Sequence, residues 1–110
     1  MQVPLQVSFD GVQHSGAVEA RIREEAGKLE QFFDRIVSAS VVVAKPQHRH
    51  HKGDTFQVRV HLVAPDMPDV VVSRQPAVTG APDDVYVTIH EAFKAARRQL
   101  QDIVKKRNAG

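Results

Sequence analysis

Asp84-Val-Tyr-Val-Thr-Ile-His-Glu-Ala-Phe-Lys-Ala-Ala-Arg-Arg-Gln-Leu-Gln-Asp-Ile-Val-Lys-Lys-Arg107 acquires two opposed faces when wound as a helix. At roughly 100° per residue, Val85, Ile89, Ala92, Phe93, Ala96, Leu100, Ile103 and Val104 gather within about a third of the circumference, and Lys94, Arg97, Arg98 and Lys105 gather opposite them. The apolar arc needs a surface to cover it. The basic arc favours an anionic partner. From Lys94 to Arg107 there are six Lys/Arg against one acidic residue, Asp102, a local net charge of +5 in a chain whose total is +2. Basic character concentrated in this way marks a directed electrostatic surface rather than a uniformly sticky protein.

The rest of the chain supplies the surface that the helix requires. Val3, Leu5, Val7 and Phe9 alternate with Gln6 and Ser8, which predicts a strand with one buried face, closed by Asp10-Gly11. Val18, Ile22, Ala26, Leu29 and Phe33 then step by three or four residues, so a first helix is expected from about Gly16 to Phe33 with Ser15 as its N-cap. Its polar side mixes signs, with Glu24 four residues before Lys28 and Glu19, Arg21, Arg23 and Glu30 around them, and reads as a solvated face. A Val-rich strand from Ser38 to Lys45 stops at Pro46. A third strand places Phe56, Val58, Val60 and Leu62 on one side and Gln57, Arg59 and His61 on the other. Ala64 to Asp69 contains two prolines and makes a turn, Val70 to Arg74 is a fourth strand, and Gln75 to Asp83 is a loop. Asp83 or Asp84 caps the final helix.

The order β-α-β-β-β-α defines an α+β fold. A helix between the first two strands makes them parallel through a right-handed crossover, and the short later links make an antiparallel meander. Because each helix has one apolar face, both belong on the same side of a four-stranded sheet, leaving the other side wet. A length of 110 residues corresponds to a single domain, 1–110.

Composition narrows the chemistry. The absence of cysteine removes disulfides, thiolate catalysis and sulfur-ligated zinc. No apolar run approaches the roughly 20 residues of a membrane span, and the N-terminus alternates rather than forming a signal-peptide block, so a cytoplasmic location is expected. The sequence carries neither a Gly-rich phosphate loop nor a nucleophile elbow, and His90-Glu91 lacks the second histidine of a zinc-protease helix. We expect no enzyme and no cofactor. The segment Lys45-Pro-Gln-His-Arg-His-His-Lys-Gly-Asp-Thr55 holds His48, His50 and His51, whose imidazoles suit a transition metal. Lys45, Arg49 and Lys52 repel a cation there, which favours a solvated tip or an RNA-facing patch over a metal site. His14 and His61 read as isolated surface residues.

Lys28-Leu29-Glu30, then Phe33-Asp34-Arg35-Ile36, the Val-rich strand, the basic polar loop, Asp84-x-Tyr86-x-x-Ile89 and Arg98-Gln99-Leu100 occur in an order that resembles the ribosome hibernation-promoting factors. This family is also described as ribosome-associated translation inhibitors or sigma-54 modulation proteins, and the present chain is similar to its short form. The resemblance spans nearly the whole chain. It implies a fold similar to the double-stranded-RNA-binding module with an added first strand. It also implies binding to the small ribosomal subunit and its RNA, where messenger and transfer RNA would otherwise sit, as part of a stress response. Family members often have Lys at the position of Ala95; here the neighbouring charges are Lys94 and Arg97.

The RNA-contacting residues expected on this reading are Lys94, Arg97, Arg98 and Lys105, assisted by Lys28 on the first helix and Arg49 and Lys52 in the loop. Each Lys or Arg set against phosphate releases counterions, and the planar fork of Arg suits phosphate oxygens. His90 and Gln101 share the arc and can add hydrogen bonds. No exposed aromatic ladder is evident, so recognition of shape and phosphate is expected rather than base stacking. The alternative is a protein-interaction module that uses the wet sheet face, with Arg59 and His61, or the Gln75–Asp83 loop. A homodimer formed through an exposed edge strand is a further possible assembly.

Overall fold

The computed structural model describes residues 4–45, 56–75 and 84–109, with the backbone alone for Asp84 and residues 107–109. Six elements follow in chain order: β1 (Leu5–Asp10), α1 (Gly16–Phe32), β2 (Ser38–Ala44), β3 (Gln57–Val63), β4 (Val70–Arg74) and α2 (Asp84–Ala109). The expected α+β order β-α-β-β-β-α is the observed one, and boundaries differ from the sequence reading by one or two residues.

The strands lie in the order β1-β2-β3-β4. The β1–β2 pair is parallel, from Leu5 opposite Ala39 to Asp10 opposite Ala44, because α1 carries the chain back to the starting end of the sheet. The β2–β3 and β3–β4 pairs are antiparallel, with Val41 opposite Val60 and Val60 opposite Val72. This register stacks one valine from each of three neighbouring strands on the same face. Slipping any strand by one residue would turn its valines to water, so the alternation fixes the pairing.

Local chemistry closes the turns. Gly11 has φ +70°, and a Cβ there would lie 3.0 Å from the Lys45 carbonyl oxygen, so the exit from β1 requires a residue without a side chain. Asp66 takes φ 62° in the β3–β4 turn, a conformation that Asp tolerates better than branched residues do. At the start of α1 the Val18 N–H donates to Ser15 Oγ at 3.2 Å and the Glu19 N–H to the Ser15 carbonyl at 3.0 Å, as expected of an N-cap. The helix ends where the Phe33 N–H closes on the Leu29 carbonyl and the backbone becomes extended. The acidic cap proposed for α2 falls on side chains outside the described residues.

Both helices cover the same sheet face. Val18, Ile22, Ala26 and Leu29 of α1 and Ile89, Ala92, Phe93, Ala96 and Leu100 of α2 are buried with Val41, Val43, Val58, Val60, Val70 and Val72. Each fully buried aliphatic side chain contributes about 1.5–3 kcal/mol, and the core is almost wholly aliphatic, with Phe93 its one buried ring. The opposite sheet face, with Gln6, Ser8, Arg59, Val71 and Ser73 exposed, lies under neither helix. Among the described residues no helix is long and apolar enough to cross a membrane.

Candidate nucleic-acid interface

Because β1 and β4 run in the same direction as β2, the two helices that follow them return side by side and parallel. Their seam is held by three polar contacts in one register. Arg21 lies over the Tyr86 ring at 5.6 Å, His90 Nδ1 meets Glu25 Oε2 at 3.2 Å, and Arg97 lies over the Phe32 ring at 4.3 Å. In each pair the partners are 65 residues apart in sequence, as His90 and Glu25 are. The constant offset follows from two helices of equal pitch resting on one sheet.

Glu25 is the exception to the solvated polar side expected of α1. Only 6% of it is exposed, and its carboxylate receives His90 and, at 3.8 Å, Arg21. A carboxylate in this position is retained because it is paired; unpaired, it would carry a large desolvation cost. The remaining charges of α1 behave as expected of a solvated face. Arg23 pairs with Glu19 at 3.0 Å and Lys28 with Glu24 at 3.7 Å, both four residues apart.

The basic arc of α2 is built differently. Lys94, Arg97, Arg98 and Lys105 are exposed, and among the described residues none of them has a carboxylate partner. Lys94 and Arg97 line a groove between the helices together with Lys28, Leu29, Phe93, Glu25 and His90. Lys94 and Arg97 also border a second concavity on the exposed side of α2, which they share with Arg98 and with Arg74 at the end of β4, and Glu91 and Asp102 line it beside them. The predicted cations of the helices are therefore spread along one surface, with Lys94 and Arg97 common to both concavities. Lys28, Lys94 and Arg97 meet in the interhelical groove, Arg98 lies on the β4 side, and Lys105 stands further along α2. Arg49, Lys52, His48, His50 and His51 lie outside the described residues, as do residues 76–83 of the second loop. Ala95, where the resemblance leads one to expect Lys, is half-buried against the core.

Three features were not apparent from the sequence. Phe32 is 39% exposed, so the basic face does carry an aromatic ring. Arg74 joins the α2 surface although it belongs to a strand. His14 and His61, read as isolated, each have a carboxylate 2.9 Å away, Glu19 and Asp69 respectively. The hydrogen bonds from His14 and Arg23 hold the Glu19 carboxyl below its usual range. The spacing of Arg21, Glu25 and Phe32 on α1, four and then seven residues, keeps them on one helical face and was the available signal for the seam, but it had no partner until the helices were placed.

A family model described as Sigma 54 modulation protein / S30EA ribosomal protein matches residues 5–108. The chain belongs to this family. Family membership makes association with the ribosome the general functional statement for the chain. Its fold recurs in solved structures, two of which show the likeness. A ribosomal subunit interface protein from Coxiella burnetii superposes with a TM-score of 0.70 at 15% identity, covering 91% of this chain and 96% of that one. The N-terminal domain of Thermus thermophilus Protein Y gives a TM-score of 0.67 at 15% identity, covering 91% and 98%. A search of curated proteins gives no match.

Proposed function

We propose that the chain binds the small ribosomal subunit through the basic face of α2 and blocks translation by occupying an RNA-lined channel. The observation that carries this reading is the exposed set Lys94, Arg97, Arg98 and Lys105, none of which has a carboxylate partner among the described residues. Unneutralised cations on a rigid helix offer donors at fixed spacing to a folded phosphate backbone, with little reorganisation on binding. Lys28 and Arg74 extend the patch across the seam and onto the sheet edge. The action is steric and requires no bond making, so the protein works as a cytoplasmic binding factor and not as an enzyme. Sharing its fold with the Coxiella burnetii ribosomal subunit interface protein supports the reading.

Co-sedimentation with purified small subunits at two salt concentrations tests the proposal. Binding at low salt that weakens steeply at high salt is expected. If the chain stays with free protein at low salt, the proposal fails. A second reading, protein contact through the open sheet face, has one observation in its favour, the exposure of Val71 at 53% beside Arg59 and Ser73. Binding lost with Val71→Glu and retained after reversal of the α2 charges would favour that reading.

A further inference from the structure

The three contacts of the helix seam do not all serve the same end. Arg21 and His90 converge on a buried carboxylate, and their task is internal. Arg97 and Phe32 bury nothing of that kind. Phe32 is the last residue of α1, and its ring remains substantially exposed, whereas Phe9, Phe33 and Phe56 pack against the core and Phe93 lies within it. Arg97 has no carboxylate among the described residues; its recorded contact is the ring, 4.3 Å from the guanidinium carbon to the centroid. A guanidinium held over an aromatic ring loses most of its rotational freedom while the N–H edges in its plane stay available. Beside it in the groove are Lys28 and Lys94, over an apolar floor of Leu29 and Phe93.

From this arrangement, and resting on the RNA-binding reading above, we infer that Phe32 is a positioning residue for RNA: its ring holds the Arg97 guanidinium oriented to receive a phosphodiester of the RNA backbone between Lys28 and Lys94. The ring makes no charge contact itself. Its contribution is to fix beforehand a side chain that would otherwise have to be ordered when RNA arrives.

The test is a double-mutant cycle on affinity for purified small ribosomal subunits, measured across salt concentrations. Phe32→Ala should weaken binding about threefold to fivefold, the size of an exposed cation–π contact, and leave the salt slope unchanged because Arg97 is still charged. Arg97→Ala should lower the slope by about 0.7–0.9, one phosphate contact. In the Arg97→Ala background the Phe32 substitution should add nothing, and Phe32→Tyr, which keeps the ring, should bind as the native chain does. Thermal unfolding of each variant checks that the fold is kept. Equal weakening by Phe32→Ala in both backgrounds would overturn the inference, since the ring would then act without Arg97. No weakening in the native background would overturn it as well. In either case binding by the native chain leaves the ribosomal reading standing. Absence of binding by the native chain would sink that reading and this inference together.

Discussion

Helix α1 carries three cations and four carboxylates, and its Arg21, Arg23 and Lys28 each stand within 4 Å of a glutamate on the same helix. Helix α2 carries six cations, and among the described residues Lys94, Arg97, Arg98 and Lys105 have no carboxylate within 4 Å. Both helices bury an aliphatic stripe on the same sheet. The difference is therefore one of charge pairing and not of fold. A cation whose field is cancelled by a neighbour one turn away, as for Arg21 and Arg23, contributes a few tenths of a kcal/mol to its helix and little to attraction at a distance. Lys28, in the more exposed pair with Glu24, also borders the interhelical groove. An unpaired cation contributes little to stability and much to binding.

The largest expected effect breaks this comparison directly. Combined reversal of Lys94, Arg97 and Arg98 to Glu should lower affinity for small subunits at least about 100-fold and reduce the salt slope by about 2–3, read by co-sedimentation. Reversal of Arg23 and Glu24 on α1 should change it far less. If the two sets prove equivalent, pairing does not distinguish the helices. Next in size, Glu25→Ala should destabilise the chain by about 1–3 kcal/mol in urea unfolding, since it strips His90 and Arg21 of their shared buried acceptor. Glu24→Ala, on the exposed side of the same helix, should stay within about 0.5 kcal/mol. Ser15→Ala should cost about 1 kcal/mol, the usual value of an N-cap, without altering ribosome affinity.

The smallest effect concerns pH. Glu19 is held below its ordinary value of 4.5 by hydrogen bonds from His14 and Arg23, so its folded-state value is the lower one. Its stabilisation is complete above the unfolded value and is lost as pH falls through the folded value. Glu19→Gln should therefore flatten the acid limb of stability below about pH 4.5 and leave ribosome binding unchanged, which thermal unfolding at a series of pH values can check.

Much of the fold was legible in advance because its signals are local. The alternation Val58, Val60, Leu62 and the four-residue steps Val18, Ile22, Ala26 report strand and helix without knowledge of any partner, and Gly11, Pro46 and Pro65 mark where each run ends. The cations of α2 were legible for the same reason. The solvated face expected of α1 holds for Arg23, Glu24 and Lys28, whereas Glu25, which the sequence reading does not single out, differs from Glu24 by one position and about 100° of rotation. That rotation turns it onto α2. His61 was misread as isolated because its partner Asp69 lies beyond a turn whose path the sequence does not specify.

By itself, then, the sequence determined which residues are apolar and at what period, and hence the elements, their order and the side of the sheet on which the helices lie. It also determined that α2 is basic. Only the tertiary structure decided that α1 and α2 meet in parallel with a constant offset, which places Phe32 under Arg97 and Glu25 against His90 and brings Lys28 and Lys94 to one groove. The physical reason is that periodicity acts over a few residues along one helix, whereas the offset between two helices is set by how both pack on the sheet, through contacts 65 residues apart in the chain.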